Sequence, residues 1–369
     1  MNYGWTFVGI GFLCLLVLMG CAAPDASPEI PDQNTDQNNP VFPPDENTPL
    51  SPPVTRSFEQ GFVPIPPQPI TEAGWMDTFR LLGRNADVVL HHSAIDWNKF
   101  SENANAPRSA DKTPNLEQTN FVALMAKQNQ LNVLIVVDPL RSDRLEIDPN
   151  VAPIGFKFQD SAVRAAFRNY TMRIVRDYKP KYLGIGSEIN TYMRKHPEDA
   201  LFLISAIKEI IAEVKYESPD TIVTTTFQFE ELTGKVNGSS QWDLLEQIEP
   251  SVDVVAITTY PSPFFESPGK IPEDYYRQLG SHTQKPVIIA ESGWPSAGEP
   301  GFHGSEQNQA EFIKRLPVLT QDLNLQVWIW WFLHDWSGEG YADFFKSMGL
   351  RTSDGNEKPA WQAFRDVRG

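Results

Sequence analysis

Two glutamates lie inside apolar stretches of the sequence, where a charged side chain is unexpected. Glu188 lies near the end of the run Tyr182–Ile189, and Glu291 lies near the end of Pro286–Ser292. Burying an unpaired carboxylate is costly, so such positions usually carry a function. A carboxyl pair about 5–5.5 Å apart can cleave a glycosidic bond, one group protonating the leaving oxygen while the other attacks the anomeric carbon. The alternative for Glu188 is a structural carboxylate that bonds backbone amides.

The elements that must position these glutamates form a repeating pattern after the first 56 residues. Several short runs are nearly continuous in apolar residues, which is typical of parallel strands buried on both faces. The eight predicted strands are Phe58–Ile65, Val88–Ser93, Asn132–Val137, Tyr182–Ile189, Thr221–Phe229, Val252–Tyr260, Pro286–Ser292 and Gln326–Leu333.

Segments with helical spacing separate the strands, and Ser161–Asp177 and Asp199–Tyr216 are the clearest of them. An eightfold strand–helix alternation predicts an α/β protein with a closed (β/α)8 TIM barrel, in one catalytic domain over residues 57–369. An open doubly wound sheet is the alternative, but no Gly-rich phosphate loop follows the first strand.

Active sites of such barrels are built at the C-terminal ends of the strands. Outside the two glutamates, the residues at those ends are His91, His92, Ser93, Asp138, Ser187, Asn190, Gln228, Tyr260, Trp294, Trp330 and Trp331. His91 and His92 have no further His or Cys at ligand spacing on an adjacent strand end, so we expect no metal and no cofactor. They are expected to bond sugar hydroxyls or core carbonyls. Glu230 and Glu231 are expected to be solvated charges.

The N-terminus has the pattern of an exported, anchored protein. The apolar run Phe7–Met19 is followed by Gly20 and Cys21, and this ending resembles a bacterial lipobox. It implies a lipoprotein signal peptide at 1–20, lipidation of Cys21 and a domain tethered to the bacterial cell envelope outside the cytoplasm. A single membrane-spanning anchor is the alternative. Residues 21–56 are rich in Pro, Asn and Asp, which predicts a disordered spacer.

Composition narrows the partners. The formal net charge of −16 argues against nucleic acid and favours a neutral ligand. The two cysteines are Cys14 and Cys21, so the rest of the chain has no disulfide and no thiolate metal site.

Three segments resemble retaining (β/α)8 glycosidases. Ala290–Ser296, AESGWPS, closely resembles the nucleophile segment of family 17 β-1,3-glucanases, and Val252–Pro261, VDVVAITTYP, resembles the sixth strand of family 53 β-1,4-galactanases. The closing segment from Gly349 to Trp361 is similar to that of many clan members. The resemblance implies that Glu188 is the acid/base and that Glu291 is the nucleophile.

The resemblance also implies roles around the pair. Tyr260 would donate a hydrogen bond to Glu291 and lower its pKa, and Trp331 would form a platform beneath the sugar, with Trp294 and Trp336 as further platforms. The chain departs from the clan at Ser187, where most members have Asn to bond the substrate 2-hydroxyl, and at His92, where several families have Arg. From the strand ends and the resemblance together, the candidate substrate-binding residues are His92, Asp138, Ser187, Asn190, Tyr260, Trp294 and Trp331.

These observations lead to one expectation and two alternatives. The expectation is a retaining glycoside hydrolase for a neutral glycan, a β-glucan or a β-galactan. One alternative is a glycan-binding lipoprotein without catalysis, suggested by Ser187. The other is a transglycosylase that remodels an envelope glucan through the same covalent intermediate.

Overall fold

The computed structural model describes residues 57–96, 100, 113–150, 152–298, 301–337 and 343–368. The predicted signal peptide, the lipidation site Cys21 and the spacer lie outside this part of the chain. Among the described residues, none of the helices combines the length and the apolar character needed to cross a bilayer.

The described strands are all parallel and form one sheet in the order β5-β4-β3-β2-β1-β9-β8-β7-β6. The strands are β1 (Glu59–Val63), β2 (Val88–Ala94), β3 (Asn132–Asp138), β4 (Tyr182–Ile185), β5 (Ile222–Thr224), β6 (Thr226–Gln228), β7 (Val255–Thr259), β8 (Val287–Ser292) and β9 (Leu325–Phe332). Each predicted strand overlaps at least one observed strand, and the fold is the predicted TIM barrel.

The two ends of this sheet belong to one interrupted strand. β5 pairs with β4 and β6 pairs with β7, and only Thr225 separates β5 from β6. The Thr224 hydroxyl also donates to the Val254 carbonyl at 2.9 Å, which ties the β5 half to the neighbouring segment before β7. The fifth predicted strand therefore closes the barrel, one half bonding to each side.

Helices follow most of the strands, and several begin with a side-chain cap. Thr71, Thr113 and Ser305 each accept a hydrogen bond from a backbone N–H of the first turn. The helices are α1 (Glu72–Asn85), α2 (Pro114–Gln128), α3 (Ser161–Tyr178), α4 (Ile189–Lys195), α5 (Ala200–Glu217), α6 (Phe229–Leu232), α7 (Trp242–Ile248), α8 (Glu306–Leu319), α9 (Asp343–Lys346) and α10 (Pro359–Arg368). Short 3-10 helices lie at Glu249–Ser251, Pro268–Lys270 and Arg277–Ser281.

Candidate active site

Glu188 lies on a sharp turn immediately after β4. Gly186 has φ +84° and Glu188 has φ +46°, so the chain reverses through two left-handed residues before α4 begins. A Cβ on Gly186 would lie 2.7 Å from Ile189 Cγ2, so the turn requires glycine. The Glu188 N–H donates to the Thr226 hydroxyl at 2.7 Å. A left-handed non-glycine residue costs about 1–3 kcal/mol and is typical of functional sites.

The Glu188 carboxylate is buried and held from two directions. Its Oε1 accepts a hydrogen bond from the Thr258 hydroxyl at 2.6 Å, and its Oε2 accepts one from Arg144 Nε at 3.2 Å. Burial and the negative charge of Glu291 raise the pKa of Glu188 to about 7, although Arg144 and Thr258 lower it. Such a group can both give and take a proton near neutral pH.

Glu291 is equally buried but lies inside strand β8, directly after a register shift in the pairing of β8 with β7. Its Oε2 accepts a hydrogen bond from the Tyr260 hydroxyl at 2.9 Å, the contact that the resemblance implies. Its Oε1 lies 3.2 Å from His92 Nε2. Burial raises the pKa of Glu291 to about 7, opposed by the charge of Arg144 and the Tyr260 hydrogen bond. Burial and the nearby Arg144 lower the pKa of His92 to about 3, so this imidazole is neutral near pH 7.

The barrel register brings the two glutamates together. Thr258 in β7 is the direct partner of Glu291 in β8, and the Thr258 hydroxyl donates to Glu188. One threonine therefore separates the two carboxylates at the C-terminal mouth of the barrel. The charge of Glu291 acts directly on the pKa of Glu188.

An arginine absent from the predicted site completes the cluster. Arg144 comes from the loop after β3, is 1% exposed and forms an ion pair with Asp138. Its other nitrogens donate to Glu188 and to the Ser187 hydroxyl, the latter at 3.3 Å. Asp138 and Ser187, predicted to bind substrate, are buried partners of this arginine. Sequence reasoning missed Arg144 because a lone charge in a polar loop has the appearance of a solvated residue.

Asn190 and His91, two further strand-end residues, are occupied elsewhere. The Asn190 amide is fully buried, donates to the Gln228 carbonyl and to the Gln241 side chain, and accepts from the Gln228 N–H. These contacts hold the end of β6. His91 Nε2 lies 2.9 Å from the Thr119 hydroxyl on α2, so His91 faces outward from the barrel.

The tryptophans divide between the mouth and the outer shell. The ring of Trp331 lies 5.9 Å from that of His92 and 6.5 Å from that of Phe345 at the mouth, so it contacts the site. Trp330 faces the helices and donates to the Met348 carbonyl.

Trp294, predicted as a platform, is fully buried in the core. Its ring lies 5.5 Å from that of Phe312, and its N–H donates to the His303 carbonyl. Burial on this outer side leaves it no sugar-facing surface.

Trp336, the other additional platform, is 7% exposed after β9. Its backbone N–H donates to the Lys346 carbonyl at 3.0 Å, which ties this segment to α9.

The expectation for Glu230 and Glu231 was wrong. Glu230 is fully buried and Glu231 is 7% exposed. The Glu230 carboxylate accepts hydrogen bonds from Thr259, Tyr275 and Gln228. Glu231 forms a two-pronged ion pair with Arg194. Thr259 and Tyr275 come from β7 and the segment after it, and Arg194 comes from α4. These contacts are non-local and have no local sequence pattern.

A narrow cavity opens beside the acid/base candidate. Its lining includes Glu188, Arg144, Tyr260, Arg194 and Glu231. In the part of the chain that the structure describes, no group of three or more His, Cys, Asp or Glu side chains is arranged to hold a metal ion.

The sequence matches no protein-family model and no curated protein sequence. Solved structures share the fold. GH5_18 from Bifidobacterium longum subsp. longum, in complex with Manb1-4GlcNAc, has a TM-score of 0.63 at 15% identity over 84% of this chain and 78% of that one. GH5_18 from Streptomyces cattleya, in complex with GlcNAc, has a TM-score of 0.62 at 16% identity over 85% and 80%.

An exo-β-1,4-mannosidase from Opitutaceae bacterium strain TAV5 is similar as well. Its TM-score is 0.63 at 12% identity, over 84% of this chain and 59% of that chain. At such identities the likeness establishes the barrel architecture, and the chemistry must be argued from the site itself.

Proposed function

We propose that this chain is a retaining glycoside hydrolase that cleaves β-linked bonds of a neutral glycan. The observation that carries the proposal is the pair of buried glutamates on either side of Thr258. Each has a pKa raised to about 7, so near neutral pH the pair readily holds one proton between two carboxyl groups. One protonated and one ionised carboxyl group is the state that glycoside hydrolysis requires.

The reaction takes two displacements. In the first, a Glu291 oxygen bonds to the anomeric carbon, the bond to the leaving oxygen breaks, and Glu188 gives its proton to that oxygen. In the second, water gives a proton to Glu188 and bonds to the anomeric carbon as the ester to Glu291 breaks. The product keeps its β configuration and Glu188 regains its proton. Tyr260 keeps the attacking carboxylate oriented throughout.

The charges at the mouth support a neutral sugar. Three carboxyl groups, of Asp138, Glu188 and Glu291, share the charge of Arg144. That arginine is already ion-paired, so an anionic sugar would meet unfavourable charge. A β-glucan or a β-galactan fits the sequence resemblance. β-Mannosides join the test panel because structural neighbours are an exo-β-1,4-mannosidase and a protein in complex with Manb1-4GlcNAc.

The test combines turnover with stereochemistry. The full chain is incubated with nitrophenyl β-glucoside, β-galactoside and β-mannoside and with the matching oligosaccharides, and proton NMR records the first anomer released. The proposal expects hydrolysis of at least one substrate with β-anomer released first, and loss of turnover in Glu291→Gln with an unchanged fold. First release of the α-anomer, or full activity of Glu291→Gln, would contradict it. Products longer than the donor would instead assign a transglycosylase, and binding without turnover a lectin-like role.

The N-terminal sequence supports a further proposal on location. Lipidation of Cys21 would tether the enzyme to the envelope, with residues 21–56 as a spacer. Expression in a bacterium fed an alkyne fatty acid tests this directly. Label on the wild type and none on Cys21→Ala is expected, whereas equal label on both would rule the anchor out.

A further inference from the structure

The arginine in the loop after β3 is buried in an energetically unfavourable position. Arg144 is 1% exposed, and its backbone is left-handed, with φ +59°. Desolvating a guanidinium and holding a non-glycine residue in this conformation both cost free energy. Keeping this cation in place therefore lowers the free energy of unfolding, unless its contacts compensate for the cost.

The contacts of the guanidinium show what it holds. Nε donates to Glu188 Oε2 at 3.2 Å, Nη1 forms an ion pair with Asp138 at the end of β3, and Nη2 donates to Ser187 Oγ at 3.3 Å. Arg144 thus links the end of β3 to the turn after β4, and two of its three nitrogens bond to that turn. A planar fork of donors suits such a linkage, whereas a lysine ammonium would not reproduce it.

We infer that Arg144 is the positioning residue of the acid/base glutamate: it orients Glu188 and sets its proton affinity, with Asp138 as its counter-ion. This inference rests on the proposed function. The ionised form of Glu188 exists after the leaving group has taken its proton, and a guanidinium at hydrogen-bond distance stabilises that form. Without it, burial and the charge of Glu291 would hold the proton on Glu188 too firmly for rapid transfer.

The same contacts explain why the residue before Glu188 is small. Ser187 is fully buried, and its hydroxyl accepts from Arg144 and from Thr226. An asparagine would extend one bond further toward the guanidinium. The asparagine common in similar glycosidases and Arg144 would therefore compete for one space, and this chain has the arginine.

Other charged and titratable groups face Glu188 without taking over this role. Glu291 raises the proton affinity of Glu188 and is itself bonded by Tyr260, and His92 is neutral.

On the cavity side, Arg194 is paired with Glu231. Asp143 also lines the cavity and is paired with Arg141. Among the described residues, Arg144 is the cation bonded to Glu188.

The test compares Arg144→Met, Arg144→Lys and Arg141→Met, the last a control in the same loop. Arg141 is paired with Asp143, and its side chain is 46% exposed. Carbon-13 NMR of chains with labelled glutamate carboxyl groups follows the titration of Glu188, identified by the signal lost in Glu188→Gln. The pH dependence of kcat/KM on an aryl β-glycoside is measured in parallel.

Arg144→Met is expected to raise the Glu188 midpoint by about one pH unit or more, since an adjacent opposite charge lowers a carboxyl pKa by roughly 1–3 units. The alkaline limb of kcat/KM should move upward with it. Arg144→Lys should restore much of the wild-type midpoint, and Arg141→Met should leave it in place. A uniform loss of activity with an unmoved Glu188 midpoint would overturn the inference and leave Arg144 as packing alone.

A second variant covers the case in which Arg144→Met does not fold. Asp138→Asn removes the counter-ion, so the charge of Arg144 acts more fully on Glu188 and the midpoint should fall. An unmoved midpoint here would equally overturn the inference. Because the NMR titration needs no turnover, a chain that cleaves no glycoside would refute the proposed function while the effect of Arg144 on Glu188 is still measured.

Discussion

Glu188 and Glu291 carry the same chemical group at the same end of one barrel, yet the two sides of the mouth treat them differently. Glu188 follows a strand on a left-handed turn and bonds to a guanidinium and a hydroxyl. Glu291 lies inside strand β8 just after a register shift, accepts a hydrogen bond from the phenol of Tyr260 and faces the neutral imidazole of His92. Burial raises the pKa of both to about 7.

The difference is consistent with the proposed roles. A nucleophile must stay in place while it bonds to carbon, and Glu291 is held by its strand and by the phenol of Tyr260, whereas the guanidinium of Arg144 bonds to Glu188. An acid/base must cycle between two protonation states, and a cation beside Glu188 makes its ionised form accessible. In the proposed mechanism, environment rather than residue type gives the two carboxyl groups their different functions.

The largest expected effect is the loss of activity in the Glu291 and Glu188 variants, and its dependence on the leaving group distinguishes the two residues. Glu291→Gln removes the attacking atom, so kcat should fall by about 10⁴-fold or more on every substrate. Glu188→Gln should cost roughly 10²–10⁴-fold on an oligosaccharide, whose leaving group needs a proton. In kcat/KM, which reports only the first displacement, it should cost far less for a dinitrophenyl glycoside, whose leaving group needs no proton. If both variants lost activity equally on the oligosaccharide and on the dinitrophenyl glycoside, the two glutamates would not have the different roles proposed.

Tyr260→Phe tests the Glu291 side alone. Removing the phenolic donor leaves the carboxylate less stabilised, so the pKa of Glu291 should rise and the acidic limb of kcat/KM should move to higher pH. A hydrogen bond to a charged group contributes about 1.5–3 kcal/mol, which corresponds to roughly a 10- to 100-fold loss. Tyr276→Phe is the matched control, since that hydroxyl bonds to Thr259 and not to Glu291. If the acidic limb of kcat/KM moved equally in both variants, Tyr260 would have no specific effect on the pKa of Glu291.

The two tryptophans of β9 compare the mouth with the outer shell. Trp331→Leu should raise KM by about tenfold if the sugar stacks on this ring, the platform role that the resemblance implies. Trp330→Leu removes a core side chain and an N–H bonded to Met348, so it should lower Tm and leave KM near the wild-type value. Steady-state kinetics and calorimetry on both variants decide this. A larger KM change in the Trp330 variant would reverse the assignment of the two faces.

The smallest expected effect is on stability. Burial raises the pKa of both glutamates from 4.5 to about 7, so between these values the folded chain binds more protons than the unfolded chain. Stability therefore falls as pH rises from 4.5 to 7. Glu291→Gln removes one buried charge and should raise Tm by a few degrees at pH 8, with little change at pH 4.5. An unchanged or lower Tm at pH 8 would show that burying the ionised Glu291 does not destabilise the fold.

Sequence reasoning gave the barrel because its evidence is periodic. Strands buried on both faces form apolar runs, and the same register places Glu188 and Glu291 at one mouth. The sequence did not show that the fifth strand breaks at Thr225, because the break depends on pairing with two different neighbours. The resemblance placed Trp331 rather than Trp330 at the sugar, and the ring of Trp331 does lie beside that of His92 at the mouth.

The residues around the pair were harder to predict. Arg144 belongs to a polar loop, and its burial is decided by Asp138 and Ser187, both of which were proposed to bind substrate instead. Glu230 looked solvated because its partners come from distant segments, including Tyr275. Trp294 lies in the motif that identified Glu291, yet its burial follows from packing against α8. Non-local contacts of this kind leave no periodic pattern in the sequence.

Azide rescue tests the division of roles most directly. Glu188→Ala and Glu291→Ala are incubated with azide and an aryl β-glycoside that the wild type cleaves, and NMR identifies the glycosyl azide. In Glu188→Ala, azide should attack the covalent intermediate on Glu291 and give the β-azide. In Glu291→Ala, azide should replace the nucleophile and give the α-azide. The reverse pairing of products, or the same anomer from both variants, would contradict the account.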